Sequence, residues 1–536
     1  MIEYIVSLRK GVDLNQFHSK MISETGGEGI PKRSVEVANL RPGLRNFHYM
    51  LTKSEAALLR YNNAVLAVET NPDNNPFIQH HSNAFQEGNF KKPDTRVWET
   101  YLNWGLMRCS NETNVYEGDE DPGRNFVNYV LDGSDVDIVI MDSGVQPDHP
   151  EFITSAGATR VKTINWPAES TLTNITQPST FYEDTDGHGT HVAAIAAGKR
   201  FGWAKNANIY PMHINLGADN TGVSISDAFD LIYNWHIRKT TNRPTVINMS
   251  WGVSAIVNNT LVGGNYRGTE WTYQGSRSGV QDQYGILNYD DRTYRFNAHV
   301  TSYDVAVQDL IDAGCHVILA AGNRPQKAVL PGADDYNNRA YFSVDGGIAQ
   351  VFTNRAGSPY SLEAINVGAL STDVFQRTDL GGVYLDTIWA LSTRGSAVDV
   401  FAPGEDIMSA YTSTPEIYFR LNANYPYNTI YKQAILTGTS MAAPQVAGMV
   451  ARMAQIGTKY TPEEMKRKVL AEAVSGLIQD STNAEDYSNF TGALLGGRNA
   501  ILYDKRAFKR ISGQFDRINY VNFRSSSISQ RDQQVS

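Results

Sequence analysis

The spacing of apolar residues near the N-terminus predicts a small domain of alternating strands and helices. Leu14, Phe17 and Met21 recur at a helical spacing, and a capping box from Thr52 to Glu55 starts a second helix. Apolar runs typical of strands occupy Ile2–Leu8, Arg33–Asn39, Phe47–Leu51 and Val65–Glu69. The resulting order β-α-β-β-α-β predicts a ferredoxin-like α+β domain over residues 1–72.

Residues 73–95 and 504–536 show no such period. The first stretch begins inside the turn-forming sequence Asn-Pro-Asp-Asn-Asn-Pro and continues with polar residues, so it is predicted to be a linker. The second stretch is rich in Ser, Arg and Gln, which is typical of a loosely ordered tail. Both stretches therefore separate or follow folded domains.

Residues 96–503 alternate apolar strands with amphipathic helices. Ser224 caps a helix whose Ile225, Phe229 and Ile232 share one face, and Thr461 starts another helix with proline at its first position. The apolar runs that predict buried strands include Val136–Ile140, Thr245–Asn248 and Val317–Leu319. This alternation predicts an α/β domain built on a mostly parallel central sheet.

Composition narrows the class of protein. Of the 536 residues, 41% are hydrophobic and 19% are charged, as in an ordinary globular protein. No apolar run is long enough to span a bilayer, and scattered basic residues with a net charge of −9 argue against binding to nucleic acid. Two cysteines, Cys109 and Cys315, exclude a disulfide framework. The N-terminus lacks the pattern of a secretory signal, so an intracellular location is expected.

Two reactive side chains lie beside glycines at element boundaries. Asp142 follows a strand and precedes Ser143 and a glycine, at the sheet edge where α/β proteins place their sites, although a plain turn explains this motif by itself. His188 lies between two glycines at the start of a helix, which leaves room around its imidazole. His191 is favoured as a helix-packing residue over a metal ligand, because zinc-binding pairs are spaced i, i+4 with a glutamate between them.

Two further residues complete the candidate chemistry. Ser440 opens a helix, so its backbone N–H is unpaired and lies at the positive end of the helix dipole, although a serine there can also serve only as a cap. Asn323 follows a strand and can donate a second hydrogen bond to an oxyanion. Aspartate, histidine and serine in this order, each in a glycine-flanked turn, favour a catalytic triad.

Three segments resemble the signature motifs of subtilases, the subtilisin-like serine proteases of peptidase family S8. These segments are Val139–Gly144, Gly187–Ala193 and Gly438–Pro444. Val246–Gly252 and Ala320–Asn323 are similar to the family's substrate-binding strands. Asp148–Phe152 and the short segment Gly198–Lys205 are similar to proteinase K-like members. The resemblance implies a three-layer subtilisin-like fold and the hydrolysis of peptide bonds.

The resemblance gives each candidate residue a role. Ser440 would be the nucleophile and His188 the general base, with Asp142 orienting the imidazole. Asn323 and the Ser440 backbone N–H would bind the oxyanion. The residues implied to contact an extended substrate, the last three of them in the S1 pocket, are Asp219, Asn220, Thr221, Gly222, Ser250, Trp251, Gly252, Ala320, Ala321 and Gly322.

Residues 1–72 separately resemble the inhibitor-like, I9-type propeptide of many subtilases. This implies a self-processing zymogen, cleaved between Asn71 and Asn89, whose first domain is an intramolecular inhibitor and whose substrates are proteins or peptides. Hydrolysis through a triad requires no cofactor. Structural calcium stays open, because Asp399 matches a calcium ligand of proteinase K-like members and equally suits a structural carboxylate.

The chain also departs from the family's pattern. Ala194 and Gln445 replace a glycine and a histidine, and Trp251 stands where leucine is usual, which suggests an altered S1 or S4 pocket. Two of its long insertions leave substrate-binding segments directly, so they are expected either to roof the cleft or to decorate the surface. The insertions span about Val253–Thr301, Arg324–Pro359, Thr372–Thr387 and Thr412–Ala434.

Two other functions are alternatives to a protease on the basis of the sequence. One is a binding protein that keeps the fold but no longer turns over, although four intact site residues argue against it. The other is a serine esterase, which the absence of a Gly-x-Ser-x-Gly elbow disfavours. The large insertions also resemble those of subtilases encoded by bacteriophages, which suggests association with a virion as an alternative location.

Overall fold

The computed structural model describes most of residues 1–505. The residues outside the description are 10, 40–45, 71–82, 86–88, 93–100, 118–120, 124–126, 130, 171–174, 180–181, 216–221, 288–292, 379–380, 414–421, 456–459, 481–493 and 506–536. The chain forms two compact units, residues 1–82 and residues 83–514. Much of the predicted linker and of its cleavage interval, and the predicted tail beyond residue 505, lie outside the described residues.

The first unit is an antiparallel sheet with two helices. Its elements are β1 (Ile2–Leu8), α1 (Leu14–Met21), β2 (Val37–Asn39), β3 (Asn46–Leu51), α2 (Lys53–Leu59) and β4 (Val65–Thr70). The strand order β2-β3-β1-β4, with antiparallel neighbours throughout, confirms the predicted order of elements. The predicted capping box also forms: the Thr52 side chain accepts from the Glu55 N–H, and the Glu55 side chain accepts from the Thr52 N–H.

Strand β2 is shorter than the sequence predicts. It begins at Val37 rather than at Arg33. The Arg33 side chain instead pairs with the Glu55 carboxylate at 2.6 Å, and the Val35 N–H donates to the Met21 carbonyl at 3.0 Å. These contacts tie Arg33 and Val35 to the two helices, so the regular strand begins only at Val37.

The second unit contains the remaining elements. Its first half comprises β5 (Asn83–Phe85), α3 (Trp104–Cys109), β6 (Val127–Tyr129), β7 (Asp137–Asp142), α4 (Trp166–Glu169), α5 (His188–Ala197), β8 (Asn208–His213), α6 (Ile225–Arg238), β9 (Thr245–Met249), β10 (Ser254–Val257), β11 (Thr260–Tyr266), β12 (Thr269–Thr272), α7 (Arg277–Tyr284) and β13 (Tyr294–Asn297). Its second half comprises α8 (Thr301–Asp312), β14 (His316–Ala320), β15 (Arg339–Val344), β16 (Gly347–Phe352), β17 (Ile365–Arg377), β18 (Val383–Ile388), β19 (Val400–Pro403), β20 (Ile407–Tyr411), β21 (Asn422–Asn424), β22 (Lys432–Leu436), α9 (Thr439–Ala454), α10 (Pro462–Glu472), β23 (Val474–Ser475) and β24 (Ala500–Ile501). In the described part of the chain, none of these helices has the length and apolar character needed to cross a membrane.

The centre of this unit is a nine-stranded sheet. Its order is β23-β24-β19-β17-β14-β9-β7-β8, and β18 pairs with β17 as a branch. Every pair from β24 to β8 is parallel, whereas β18 and β23 join antiparallel. The predicted mostly parallel sheet is therefore confirmed. The carboxyl ends of β7, β9 and β14 consequently meet at one edge of the sheet.

Helices cover both faces of this sheet and make a three-layer α/β fold. Successive side chains of β7 point to opposite faces, as in any strand. Ile138 and Ile140 enter the hydrophobic core that contains α5 and α9, while Val139 and Met141 enter the core that contains α6 and α8. The three-layer arrangement expected from the sequence is thus confirmed.

The long insertions carry regular structure of their own. Strands from the first two, β11 and β12 with β15 and β16, make one four-stranded antiparallel sheet in the order β12-β11-β15-β16. A separate buried cluster that includes Leu261, Phe296 and Phe342 stabilises this pair of insertions. Insertion three is mainly the β17–β18 hairpin, and insertion four contributes β21 and β22. Each of the four insertions therefore contains strands that pair with a neighbouring strand.

Candidate active site

Asp142 and His188 meet at the carboxyl edge of the sheet. Asp142 is the last residue of β7, which ends two residues later than the predicted strand, and His188 is the first residue of α5. The His188 Nδ1 and Asp142 Oδ1 atoms are 2.7 Å apart, and the same oxygen accepts from the Ser143 N–H at 2.8 Å. The Asp142 side chain is fully buried, whereas 26% of the His188 side chain is exposed.

The buried carboxylate changes the proton affinity of the imidazole. Burial alone lowers the pKa of His188, but attraction to the Asp142 charge and the hydrogen bond between them outweigh it and raise the pKa to about 9. The bond also leaves Nδ1 as the protonated nitrogen when the ring is neutral. Nε2 is then the nitrogen that can accept a proton.

Two glycines allow the histidine to approach the aspartate. Gly187 has a φ of 93° at the start of α5, and a Cβ there would overlap the ring of Tyr411. A Cβ at Gly189 would overlap the carbonyl oxygen of Gly144. Close packing against Tyr411 and Gly144 therefore requires both glycines, a reason that differs from the predicted space around the imidazole.

Asp184 joins the two loops that carry Asp142 and His188, and the sequence analysis missed it. Its Oδ1 accepts from the Ser143 hydroxyl at 2.9 Å and from the Gly187 N–H at 2.7 Å, while its Oδ2 accepts from the Thr190 N–H at 2.7 Å. Burial outweighs these bonds and raises the pKa of Asp184 to about 6. An acidic residue four positions before a glycine-flanked histidine was the signal available for finding it.

Ser440 is the second residue of α9, and its hydroxyl pairs with Ser250. The Ser440 Oγ donates to the Ser250 carbonyl at 2.8 Å, and the Ser250 Oγ donates to the Ser440 carbonyl at 2.9 Å. Across the described residues, no hydrogen bond joins Ser440 to His188. The structure thus joins the predicted site residues as two pairs, Asp142 with His188 and Ser440 with Ser250.

The orientation of the Asn323 amide follows from its partners. Its Oδ1 accepts from the Thr439 N–H at 2.9 Å and from the Thr439 hydroxyl at 2.7 Å. Because both partners act as donors here, the oxygen must face them and Nδ2 must point the other way. Nδ2 is therefore the donor that Asn323 offers beside Ser440.

Asn323 and Ser440 line a cavity of about 200 Å³. The lining also contains all six of the residues predicted for this side of the cleft, namely Ser250, Trp251, Gly252, Ala320, Ala321 and Gly322. The two segments come from the ends of the adjacent strands β9 and β14, which is why they converge. A cavity beside a serine hydroxyl and an amide donor suits a substrate side chain next to a reacting carbonyl.

The other predicted binding segment is only partly described. Asp219, Asn220 and Thr221 lie outside the described residues. Gly222 lies against the backbone of Ile214 and Asn215 and is not part of the cavity lining.

Trp251 contributes to the cavity and to the core. Its ring packs 6.5 Å from Phe229 and 6.1 Å from Tyr303, measured between ring centroids, and the residue is buried. The bulky side chain therefore joins the core under α6 and α8 while the residue itself lines the cavity.

The first two insertions supply further cavity residues that were not among the predicted substrate-binding residues. These residues are Val253, Ser254, Asn297, Arg324 and Gly357. These insertions accordingly belong to the cleft rather than to a remote surface. Val253 and Arg324 directly follow predicted site residues, which was the signal for insertions at the cleft, whereas Asn297 and Gly357 lie far from the motifs along the chain and gave no local signal.

Two candidate metal positions have other partners. The His191 imidazole is buried, and its Nε2 lies 3.1 Å from the Ile407 carbonyl and 3.0 Å from the Ala434 carbonyl, as the helix-packing interpretation expects. Asp399 Oδ2 accepts from the Lys466 ammonium at 2.7 Å and from the Asn366 N–H at 2.9 Å. An ammonium on that oxygen does not suit a calcium ion, because the two cations would repel each other. Within the described residues, no group of three His, Cys, Asp or Glu side chains is arranged to hold a metal ion.

Comparison with known proteins places this geometry in a family. A sequence profile of the subtilase family matches residues 133–493, more than half of the chain. A subtilisin-like proteinase of Encephalitozoon cuniculi is 25% identical over 404 residues, which are 74% of this chain and 70% of the relative. The subtilisin-like serine protease Pen c 2 of Penicillium citrinum is 26% identical over 388 residues, which are 70% of this chain and 62% of the relative.

A solved structure of a cold-adapted subtilisin-like serine proteinase aligns with 75% of this chain and 98% of its own, at 22% identity and a TM-score of 0.45. The profile match covers both helices and all three strand ends that carry the candidate site. The chain therefore belongs to the subtilase family and is a subtilisin-like serine protease.

Proposed function

We propose that Ser440, His188 and Asp142 hydrolyse peptide bonds as nucleophile, general base and orienting carboxylate. The observation that carries this proposal is the 2.7 Å bond from His188 Nδ1 to the buried Asp142, at the sheet edge where Ser440 and Asn323 line one cavity. The bond fixes the tautomer that presents Nε2 as the base. Asp184 holds the two loops together and acts as a positioning residue.

The chemical steps follow from these atoms. Ser440 Oγ leaves the Ser250 carbonyl, gives its proton to His188 Nε2 and attacks the substrate carbonyl carbon. The Asn323 Nδ2 and the Ser440 N–H, which lies in the first turn of α9, stabilise the oxyanion. The carbon–nitrogen bond then breaks as His188 returns the proton to the leaving amine. Water attacks the acyl-enzyme with His188 again as base, which regenerates Ser440 and releases the acid.

The first unit acts as a propeptide that inhibits the protease until it is cleaved. Its support is the separate antiparallel sheet of residues 1–70, which has its own buried core, and the polar sequence that follows it. Cleavage by Ser440 itself within residues 71–89 would turn one chain into enzyme and inhibitor. Proteins and peptides are the substrates of the mature enzyme, and the hydrolytic steps need no cofactor.

The test is intact mass spectrometry of the wild-type chain and Ser440→Ala after incubation with a fluorophosphonate. Wild type is expected to be shorter by the mass of the propeptide and to carry one adduct. Ser440→Ala is expected to stay at full length without an adduct when made in a protease-deficient host. Ser250→Ala is the matched serine control, because it lines the same cavity and should still be labelled.

The possible outcomes distinguish the role of Ser440 as nucleophile from self-processing of the chain. A labelled wild type that is never trimmed would refute self-processing but keep the nucleophile. An unlabelled, full-length wild type whose sequence begins at Met1 would point to a silent site and favour a binding protein. Efficient trimming of Ser440→Ala would show that another protease cleaves the linker.

A further inference from the structure

The residues that line the cavity beside Ser440 are almost all neutral. Of the described residues in the lining, Arg324 is the one that carries a charge, and the rest are small, apolar or uncharged polar residues. We propose that this cavity accepts an acidic side chain, glutamate or aspartate, from the residue before the scissile bond, and that Arg324 determines this preference. The inference rests on the proposed role of Ser440.

Arg324 is held next to the oxyanion donor. It directly follows Asn323, its Nη1 donates to the Asn323 carbonyl at 2.6 Å, and its own carbonyl accepts from the Thr393 hydroxyl at 2.9 Å. These bonds anchor the arginine at both its backbone and its guanidinium. The guanidinium has five N–H donors in a planar fork, a geometry that matches the two oxygens of a carboxylate.

The walls of the cavity strengthen the effect of this charge. Val253, Asn297 and Gly357 from the two insertions line the cavity together with the strand ends, and Asn297 is itself buried, with its amide nitrogen bonded to the Thr393 hydroxyl at 3.2 Å. Neutral protein walls screen a charge less than bulk water does, so attraction for a carboxylate and repulsion of an ammonium both increase. The chain's net charge of −9 does not favour acidic substrates at long range, so the selectivity must arise inside the cavity.

The test compares peptide substrates that differ only in the residue before the scissile bond, which is glutamate, glutamine or lysine. The full chain is used as purified, and rates are divided by the fraction that a fluorophosphonate labels. Wild type is expected to show kcat/KM about tenfold higher for glutamate than for glutamine, since hydrogen bonds to charged groups exceed neutral ones by about that factor. Lysine is expected to be the poorest substrate.

Two variants of Arg324 and one control locate the effect. Arg324→Gln is expected to bring the glutamate-to-glutamine ratio of kcat/KM to within about twofold of one. Arg324→Lys keeps the charge without the planar fork, so its ratio is expected to lie between those of wild type and Arg324→Gln. Arg339→Gln removes a half-buried arginine of the same insertion that is bonded to Gln350 and does not line the cavity, so it should leave the ratio unchanged. Equal rates for glutamate and glutamine in a labelled wild type would overturn the inference alone, whereas an unlabelled wild type would overturn the proposed function and the inference with it.

Self-maturation gives an independent readout. The interval 71–89 contains two acidic residues, Asp73 and Glu87. Cleavage after an acidic residue would leave Asn74 or Gly88 as the new N-terminus, which intact mass measures directly. A mature chain that begins elsewhere in this interval, and that Ser440→Ala does not produce, would contradict the preference.

Discussion

The hydrogen bonds of Gln445 test how the fold stabilises the helix that carries Ser440. It lies on α9, five residues after the proposed nucleophile, where the sequence replaces the family's usual histidine. Its Oε1 accepts from the Trp203 Nε1 at 2.6 Å and from the Asn103 Nδ2 at 2.9 Å. Its Nε2 donates to the Asn103 Oδ1 at 2.9 Å and contacts the Pro403 carbonyl at 3.4 Å. One buried amide thus connects α9 to α3 and to strand β19.

The effect of Gln445→Leu can be worked from these bonds. The Trp203 N–H would be left buried without a partner, which costs about 1–3 kcal/mol. The Asn103 amide would lose two bonds but keep those to the Phe201 carbonyl and the Gly105 N–H, so each loss costs about 0.5–1.5 kcal/mol. The free energy of unfolding should therefore fall by about 2–6 kcal/mol.

The assay is urea unfolding in a Ser440→Ala background, which removes self-cleavage. Gln376→Leu, at an exposed position of β17, is the matched control and should change stability by less than about 0.5 kcal/mol. Adding Trp203→Phe to Gln445→Leu removes the orphaned N–H. The double variant should therefore lose less free energy of unfolding than the sum of the losses of the two single variants. Additive effects, or a loss below about 1 kcal/mol for Gln445→Leu, would refute the reasoning.

Three further outcomes follow from the site and its supports. Asn323→Asp keeps an acceptor for its neighbours but replaces the donor, so steady-state kinetics should show kcat lower by about a hundredfold or more; a change under tenfold would exclude the oxyanion role. Activity requires neutral His188, so kcat/KM should rise with pH to a midpoint near 9. Asp142→Asn should lower both that midpoint and the rate, and an unmoved midpoint would assign it to another group. The fully buried Arg108 guanidinium lies 2.7 Å from the Asp386 carboxylate, and Asp386→Ala would leave it without its counter-charge. Urea unfolding should then show a free energy of unfolding lower by about 3–5 kcal/mol. A loss below about 1 kcal/mol would show that the pair contributes little.

The pKa of His188 also sets the sign of a stability effect. Its folded value, about 9, lies above the ordinary value of 6.5, so the protonated ring is favoured by folding. The contribution of the pair with Asp142 is fully present below pH 6.5 and is lost as the pH rises through 9. Stability from this pair and activity therefore change in opposite directions over the same pH range.

The sequence predicts those features that depend on neighbouring residues. Strand β1 has the predicted ends, and the caps of α2 at Thr52, of α6 at Ser224 and of α10 at Thr461 all form as predicted. A cap depends on a few adjacent side chains, and a parallel strand on a short apolar run, so both are encoded locally. The convergence of Asp142, Ser250 and Asn323 at one edge then follows from the parallel order of the strands.

Pairing between distant segments could not be predicted in this way. Strand β11 pairs with β15 through Leu261 and Phe342, which lie in different insertions and are separated along the chain by α8 and β14. A pattern within either insertion predicts a strand at best, since the partner and the register depend on contacts far along the chain. For this reason the position of Arg324 next to the predicted Asn323 is evident from the sequence, whereas that of Asn297 is not.

The direction of the Ser440 hydroxyl is a second feature that the sequence does not predict. The motif identifies the serine, but its Oγ occupies one of three staggered rotamers, and which acceptor it meets depends on the surrounding backbone. In this structure the acceptor is the Ser250 carbonyl, which belongs to another strand end and is itself held by the return bond from Ser250 Oγ. A serine rotamer is separated from its alternatives by about one hydrogen bond, roughly 1 kcal/mol. Glycines beside His188 are instead fixed by atomic overlap, which is far more costly, and this difference is why the sequence predicts the position of the site more securely than the direction of its nucleophile.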